Sequence, residues 1–246
     1  MVSFFSKKIF LVDLLEGFVD IHNHILPGID DGAKTVDDSI EILKGFSEFG
    51  VHNFIATPHI MHNYYDNTPA TIAKSLNQLR TALSKNKLNT ISVDASAEHM
   101  IDDNFEAILE NKSIMPLRKD HLLIEMSYLQ RPINFDEAIV SIAHNRYFPV
   151  LAHPERYNFL HARNQKYGEF KKQGILFQLN MLSLSEFYGK DVQKMAFRLL
   201  DEDMIDFLGS DVHNISQLSA LKQITIPKKK KPIIEAIIEG TVLRFL

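Results

Sequence analysis

Phe18-Val-Asp-Ile-His-Asn-His-Ile-Leu-Pro-Gly-Ile-Asp-Asp-Gly32 begins as a short apolar strand and runs directly into side chains that bind metal ions. In extended backbone alternate residues share a face, so His22 and His24 point to the same side and suit one ion. The turn behind them carries Asp30 and Asp31. These either shape the turn or, for Asp31, reach back over the metals. A lone His-x-His is weak evidence of a site in a chain with eleven histidines. Its weight comes from what recurs downstream.

Runs rich in Val, Ile and Phe predict strands near Phe18–Ile21, Asn53–Ala56, Ile91–Ala95, Leu122–Ile124, Phe148–Ala152, Ile175–Leu179 and Ile205–Leu208. Amphipathic stretches between them predict helices over Val36–Phe49, Ala70–Leu83, Asp103–Leu109, Phe135–His144, Asn164–Gln173 and Lys190–Leu200, with a last one around Ile233–Glu239. Thr35 or Asp37 suits the cap of the first helix and Gly50 its end, while Gly168 and Gly174 bracket a later turn. Regular strand–helix alternation implies a parallel sheet with right-handed crossovers. Seven such repeats without a central break predict an α/β fold, a single-domain distorted TIM-like (β/α)7 barrel.

Polar residues cluster where most of these strands end: Thr57-Pro58-His59, Glu98, Glu125, His153 and Asp211-Val212-His213. In a parallel barrel those ends converge on one face, where catalysis is built. Asp211 and His213 repeat the spacing of the first pair. Imidazole and carboxylate without thiolate suit manganese, zinc or iron rather than calcium. His52, His62, His99, His121, His144 and His161 are read as surface or packing residues, with His62 and His99 close to ligand positions. Arg156, three residues beyond His153, either grips phosphoryl oxygens through its planar fork or pairs with Glu155 or another neighbour.

A chain of 246 residues at 45% hydrophobic buries a sizeable core. With no cysteine it has neither disulfides nor a cysteine-phosphate mechanism, and a net charge of −4 gives no general attraction to nucleic acid. The start is interrupted by Lys7, Lys8, Asp13 and Glu16, a poor signal peptide, and no window reaches the ~20 apolar residues of a membrane span. A cytoplasmic protein without membrane insertion is expected. Lys228 to Lys231 read as a solvated surface turn.

Taken in order, Asp20-Ile-His-Asn-His24-Ile-Leu-Pro-Gly-Ile-Asp-Asp-Gly32, Thr57-Pro-His59, Ala97-Glu98, Leu123-Ile-Glu125, Leu151-Ala-His-Pro-Glu-Arg156 and Gly209-Ser-Asp-Val-His213 resemble the polymerase and histidinol phosphatase (PHP) superfamily. Within it they resemble the bacterial protein-tyrosine phosphatases of capsule and exopolysaccharide loci. The resemblance implies a trinuclear, manganese-activated site ligated by His22, His24, Asp31, His59, Glu98, Glu125, His153, Asp211 and His213, with Arg156 binding phosphate. It implies a phosphotyrosine protein substrate, a bacterial tyrosine kinase controlling polysaccharide export. Residues 1–17 form an N-terminal extension before an 18–246 phosphatase domain, where relatives often begin near the His-x-His. Many relatives also carry an arginine shortly after the last metal motif, whereas Asn214 to Leu218 here hold no basic residue.

The expected reaction is hydrolysis of a phosphate monoester by a metal-bound hydroxide in one in-line displacement. His213 or Asp211 is the candidate general acid, and Tyr64, Tyr65, Tyr128 and Tyr157 are candidates to pack on a tyrosine ring or are ordinary loop and core aromatics. Alternatives are a histidinol-phosphate or other small-molecule phosphatase with the same metals, a nuclease, and a non-catalytic kinase-binding module.

Overall fold

The computed structural model describes residues 8–163 and 165–246. In chain order the strands are β1 (Lys8–Phe10), β2 (Val19–Asp20), β3 (Asn53–Ala56), β4 (His59–Ile60), β5 (Ser92–Ala95), β6 (Glu98–Met100), β7 (His121–Glu125), β8 (Phe148–Ala152), β9 (Leu176–Asn180), β10 (Phe207–Gly209) and β11 (Thr225–Pro227). The helices are α1 (Val36–Ser47), α2 (Pro69–Lys85), α3 (Phe105–Glu110), α4 (Phe135–His144), α5 (Asn158–His161), α6 (Gln165–Lys172), α7 (Lys190–Asp201), α8 (Ile215–Leu221) and α9 (Lys231–Phe245). Among the described residues no helix is long and apolar enough to cross a membrane.

Local chemistry sets the helix limits. Thr35 caps α1 in a reciprocal capping box with Asp38, and Gly50 turns the chain away at φ +80°. Thr68 and Thr71 do the same for α2, which has proline in its first turn and buries Ile72, Leu76, Leu79 and Leu83 along one stripe. Gly168 lies inside α6 rather than at a turn, while Gly174 follows the helix at φ +82°. Asn164, expected to start that helix, lies outside the described residues.

The long strands pair in parallel in the order β10-β9-β8-β7-β6-β4, and β2-β3-β5 form a second parallel set. Asn53–Ala56 and Ile91–Ala95 form strands as expected, to within a residue, as β3 and β5, but each is followed after a two-residue break by a short strand that was not expected, β4 and β6. Pro58 has no N–H to give a ladder, so β3 ends before it and β4 restarts beside a different neighbour, with His59 opposite Glu98 on β6. A second break, at Ser96-Ala97 after β5, has no proline: the Ser96 N–H still donates to the Ala56 carbonyl at 2.8 Å before β6 begins. The parallel array curls until the residues after β2 meet those after β10. Asn23 bridges Val212, the Asp211 N–H donates to the His22 carbonyl at 2.7 Å, and the His24 N–H donates to that of Val212 at 3.0 Å.

Strand parity sorts the core. Val19, Ile21, Leu123, Val150, Ala152 and Phe207 pack into an inner cluster closed by Phe245 of α9, while Leu122, Ile124 and Leu151 face the helices. The residues just before Phe18 join this body. β1 pairs antiparallel with β11, and Leu11 and Leu15 are fully buried; residues 1–7 lie outside the described residues. The lysine run is a 3-10 turn leading into α9, and it is not uniformly solvated: Lys230 is buried, with its ammonium on Asp201 and 5.9 Å from the centre of the Phe197 ring.

Candidate metal centre

All nine residues expected to hold metal meet at one end of the curled sheet. Ligand-capable atoms come within 4.8 Å of one another in four overlapping groups: His24, Asp31, His59 and His213; His22, His24 and Asp211; His22, Glu98 and His153; His59, Glu98 and Glu125. Glu98 is central, with Oε2 3.2 Å from His22 Nε2, 3.5 Å from His24 Nε2 and 3.2 Å from His59 Nδ1. Glu125 Oε1 lies 2.8 Å from His59 Nδ1, and Asp211 Oδ1 lies 3.4 Å from both His22 and His24.

These close pairs are not all hydrogen bonds. His22 Nε2, His24 Nε2, His59 Nδ1, Glu98 Oε2 and Glu125 Oε1 are buried and make none within the protein. Such buried polar atoms are costly unless something else fills the space between them. They lie side by side and converge, which is the arrangement of a ligand set; the residues therefore fit a group of divalent ions.

Neighbours fix which nitrogen is offered. The Gln178 amide donates to the Leu179 carbonyl at 2.7 Å, so its oxygen faces His22 Nδ1 at 2.6 Å and accepts from it, leaving Nε2 for the centre. Asp30 separates from Asp31 here. Its carboxylate takes His24 Nδ1 at 2.8 Å and the Gly32 N–H at 2.9 Å, so Asp30 orients a histidine while Asp31 faces His59 and His213 at 3.5 Å. His213 Nδ1 donates to the Asp211 carbonyl at 2.9 Å, again freeing Nε2.

Electrostatics agree with that arrangement. Burial works against charge on His22, His24 and His59, yet the surrounding carboxylates raise all three pKa values, His59 to about 9. Burial likewise opposes ionisation of Glu98 and Asp211, but the histidines hold both well below the usual carboxylate range. The site thus gathers more negative charge than its own residues neutralise without protons, a balance that bound divalent ions would restore in place of those protons. The pressure on Asp211 toward the ionised form suits a ligand and works against the alternative expectation that it donates a proton.

His99 is a packing histidine. Fully buried, it bonds the Leu123 carbonyl through Nδ1 at 3.0 Å and accepts the Met115 N–H on Nε2 at 3.2 Å; burial pushes its pKa down to about 4. His62 stands at the cleft edge with Nδ1 on Asp103 at 2.8 Å.

Backbone at the centre is unusual in two ways. His153 and Asp211 both adopt left-handed conformations, at φ +37° and +52°, rare for residues with a Cβ. Elsewhere bare backbone is required: a Cβ at Gly32 would meet the His24 carbonyl oxygen at 2.0 Å, and one at Gly209 would meet His22 Cβ at 2.6 Å.

Arg156 pairs with Asp211 rather than Glu155, Nη1 to Oδ2 at 2.7 Å, and its guanidinium lies between Tyr128 and Tyr188, 4.8 and 4.1 Å from their ring centres. Asn180 Nδ2 donates to the same Asp211 oxygen at 2.7 Å, leaving Oδ1 toward the histidines. Glu155 is fully buried and accepts the Asn180 N–H. A cleft of about 990 Å³ opens over the cluster, and Arg156 is the one arginine or lysine among the described residues lining it. Asn214 and Gln217 line the side after the last metal motif; Asn214 caps α8, and Gln217 accepts the His213 N–H at 2.6 Å.

Of the four expected tyrosines, Tyr65 stacks on His59 at 5.4 Å and Tyr128 on His153 at 5.6 Å. Tyr64 stands exposed at the rim, and Tyr157 is a core residue whose hydroxyl accepts the Met126 N–H. Sequence reading missed Tyr188, Gln178 and Asn180. Gln178 and Asn180 are polar residues at the end of a strand that carried no ligand, which was the available signal.

Residues 18–229 match the family model described as capsular polysaccharide synthesis, CpsB/CapC. Similar proteins include CapC of Staphylococcus aureus, 30% identical over 89% of this chain and 86% of that protein. The tyrosine-protein phosphatase YwqE of Bacillus subtilis is 31% identical over 80% and 78%. The tyrosine-protein phosphatase CpsB of Streptococcus pneumoniae is 28% identical over 80% and 83%. One solved structure, from work on YwqE and CpsB described as unique metal-dependent tyrosine phosphatases, superposes with a TM-score of 0.80 at 26% identity, covering 93% of this chain and 94% of that one.

Proposed function

This chain belongs to the CpsB/CapC capsular polysaccharide synthesis family, and from that membership we propose that it is a metal-dependent phosphatase that hydrolyses phosphotyrosine in proteins. The observation that carries the reading is the set of buried, unpartnered nitrogen and oxygen atoms converging beneath a cleft whose wall holds Arg156. The natural substrate is a bacterial tyrosine kinase of capsule or exopolysaccharide production, met in the cytoplasm. We read the curled sheet as a seven-stranded β/α barrel, closed between Asn23 and Val212, and the domain as residues 18–246.

His22, His24, Asp31, His59, Glu98, Glu125, His153, Asp211 and His213 hold three manganese ions in this proposal; the four overlapping ligand groups support a site for more than one ion. Bound divalent ions make water nucleophilic near neutral pH and neutralise phosphoryl oxygens. The protein's own part is positioning. Arg156 spends one N–H on Asp211 and keeps the rest of its fork for phosphate, with Tyr128 and Tyr188 limiting its swing. Asp211, divided between Arg156 and the histidines, fixes the phosphate anchor relative to the residues that would hold the ions. A phenolate is a stable enough leaving group that no strong proton donor is required of the site.

Family membership disfavours the histidinol-phosphate and binding-module alternatives. The deciding experiment is phosphate release by manganese-loaded protein from a phosphotyrosyl peptide and from histidinol phosphate, with chelator and His22→Ala controls. Chelator-sensitive preference for the peptide is expected. Preference for histidinol phosphate would overturn the substrate assignment, and activity surviving both controls would overturn the metal mechanism.

A further inference from the structure

The metal ligands and Arg156 account for the charged floor of the cleft. Its rim mixes polar residues, His62, Asp102 and Gln130 among them, with an apolar run of Met61, Met100, Ile101 and Pro132, and Tyr64 and Leu129 stand at its edge. Tyr64 is 79% exposed and Leu129 87%. Large apolar side chains held in water beside a catalytic cleft mark a contact surface rather than packing.

Both edges are built, not loose. The first is the turn after β4: Met61 bridges Tyr65, the Asn63 N–H donates to Asp66 at 2.9 Å, and Asn67 Nδ2 donates to the carbonyls of Ile29 at 2.8 Å and His59 at 2.9 Å. The second is the segment after β7, where the Leu129 N–H donates to Ser127 Oγ at 3.2 Å and Arg131 pairs with Asp136 at 2.7 Å. Asp102 ties the two together. Its carboxylate accepts the His62 N–H and its carbonyl accepts Asn134 Nδ2, both at 2.9 Å. An edge fixed in this way loses little freedom when something lands on it.

We propose that this apolar edge is a subsite for a bulky apolar side chain next to the phosphotyrosine, so that the enzyme reads an aliphatic or aromatic neighbour as well as the phosphate. The proposal rests on the phosphotyrosine reading above. The occupant follows from continuity: the edge lines the same cleft as the catalytic groups. With the phosphoryl group at Arg156 and the ions, the polypeptide flanking the tyrosine leaves the cleft across Tyr64 and Leu129.

The test uses manganese-loaded full-length protein and three probes: free phosphotyrosine, Ala-Leu-phosphoTyr-Leu-Ala and Ala-Asp-phosphoTyr-Asp-Ala. Burial of one leucine side chain predicts a preference for the leucine peptide of roughly ten-fold or more in kcat/KM, carried by KM. Leu129→Ser should remove most of that preference and leave turnover of free phosphotyrosine unchanged; Tyr64→Ser should also weaken the leucine peptide. Equal kcat/KM for the two peptides, or faster turnover of the aspartate peptide through Lys190 and Lys194 beyond Tyr188, overturns the subsite. Calorimetric binding of the peptides reads the edge apart from chemistry. Equal affinities sink the subsite while hydrolysis of free phosphotyrosine leaves the function standing, and failure to hydrolyse any probe sinks the function and this proposal with it.

Discussion

Gly209→Ala should cripple the metal centre without touching a ligand. The new methyl would lie 2.6 Å from His22 Cβ and 2.8 Å from Gln178 Nε2, against 3.4 Å at the near limit of ordinary contact. Something must therefore yield by about 0.8 Å, the difference between the two separations. Gly209 cannot retreat, because it ends β10 in register with Asn180 on β9. His22 and Gln178 must move instead, and they are the histidine and the amide that orients it. Overpacking of this kind costs about 1–3 kcal/mol of stability. Disturbing the partner that orients a metal-bound histidine costs roughly 10- to 100-fold in metal affinity. The assay is calorimetric manganese titration of the metal-free variant, beside guanidinium unfolding to separate misfolding from misplacement. Wild-type affinity and stoichiometry in Gly209→Ala would refute the claim that bare backbone at this point positions His22.

Arg156→Lys keeps the charge but loses the fork, so kcat/KM on phosphotyrosyl peptide should fall roughly 100-fold, the scale of losing one preorganised charge-stabilising donor, with manganese content unchanged. Equal efficiency would remove Arg156 from phosphate binding. Chelation should lower the unfolding free energy and manganese restore it, by about 2.7 kcal/mol for each site with metal at a hundred times its Kd; an unchanged midpoint in thermal melts would argue against a structural hold on the ions. His99 supplies a pH test. Burial holds its folded pKa at about 4, below the ordinary histidine value of 6.5, so the unfolded chain binds the extra proton and stability falls as pH drops from about 6.5 toward 4. The loss is at most about 3 kcal/mol. His99→Gln should flatten that part of the unfolding profile, and an identical slope would show that His99 does not carry it.

The strands and most helices were readable because their burial obeys simple periods. Asn53–Ala56, Phe148–Ala152 and Phe135–His144 lie where apolar patterning puts them. The broken strands were harder. Pro58 was visible, but that the chain would resume as β4 against β6 depends on the curl of the whole sheet. β1 and β11 are three residues each and acquire meaning only by pairing across most of the chain. At the site, the ligand candidates other than Asp31 were visible as residue types at strand ends, while Asp31 sits in the turn beyond the first strand and was named by the resemblance. Which of two adjacent aspartates orients His24 and which faces the ligand cluster is a matter of turn geometry that sequence does not carry. Nor does it show that Tyr157 turns inward while Tyr188, from a distant loop, covers Arg156.

The left-handed backbone at His153 and Asp211 makes these two positions hard to exchange. Each of those residues costs on the order of 1 kcal/mol relative to glycine in the same conformation. Glycine would relieve that strain but strip away a side chain with buried partners: Asp211 holds Arg156 and Asn180, and His153 faces Glu98. Leaving the Arg156 guanidinium without its carboxylate costs about 3–5 kcal/mol, more than the strain returned. The residue that the backbone would prefer is therefore one that the side-chain network refuses.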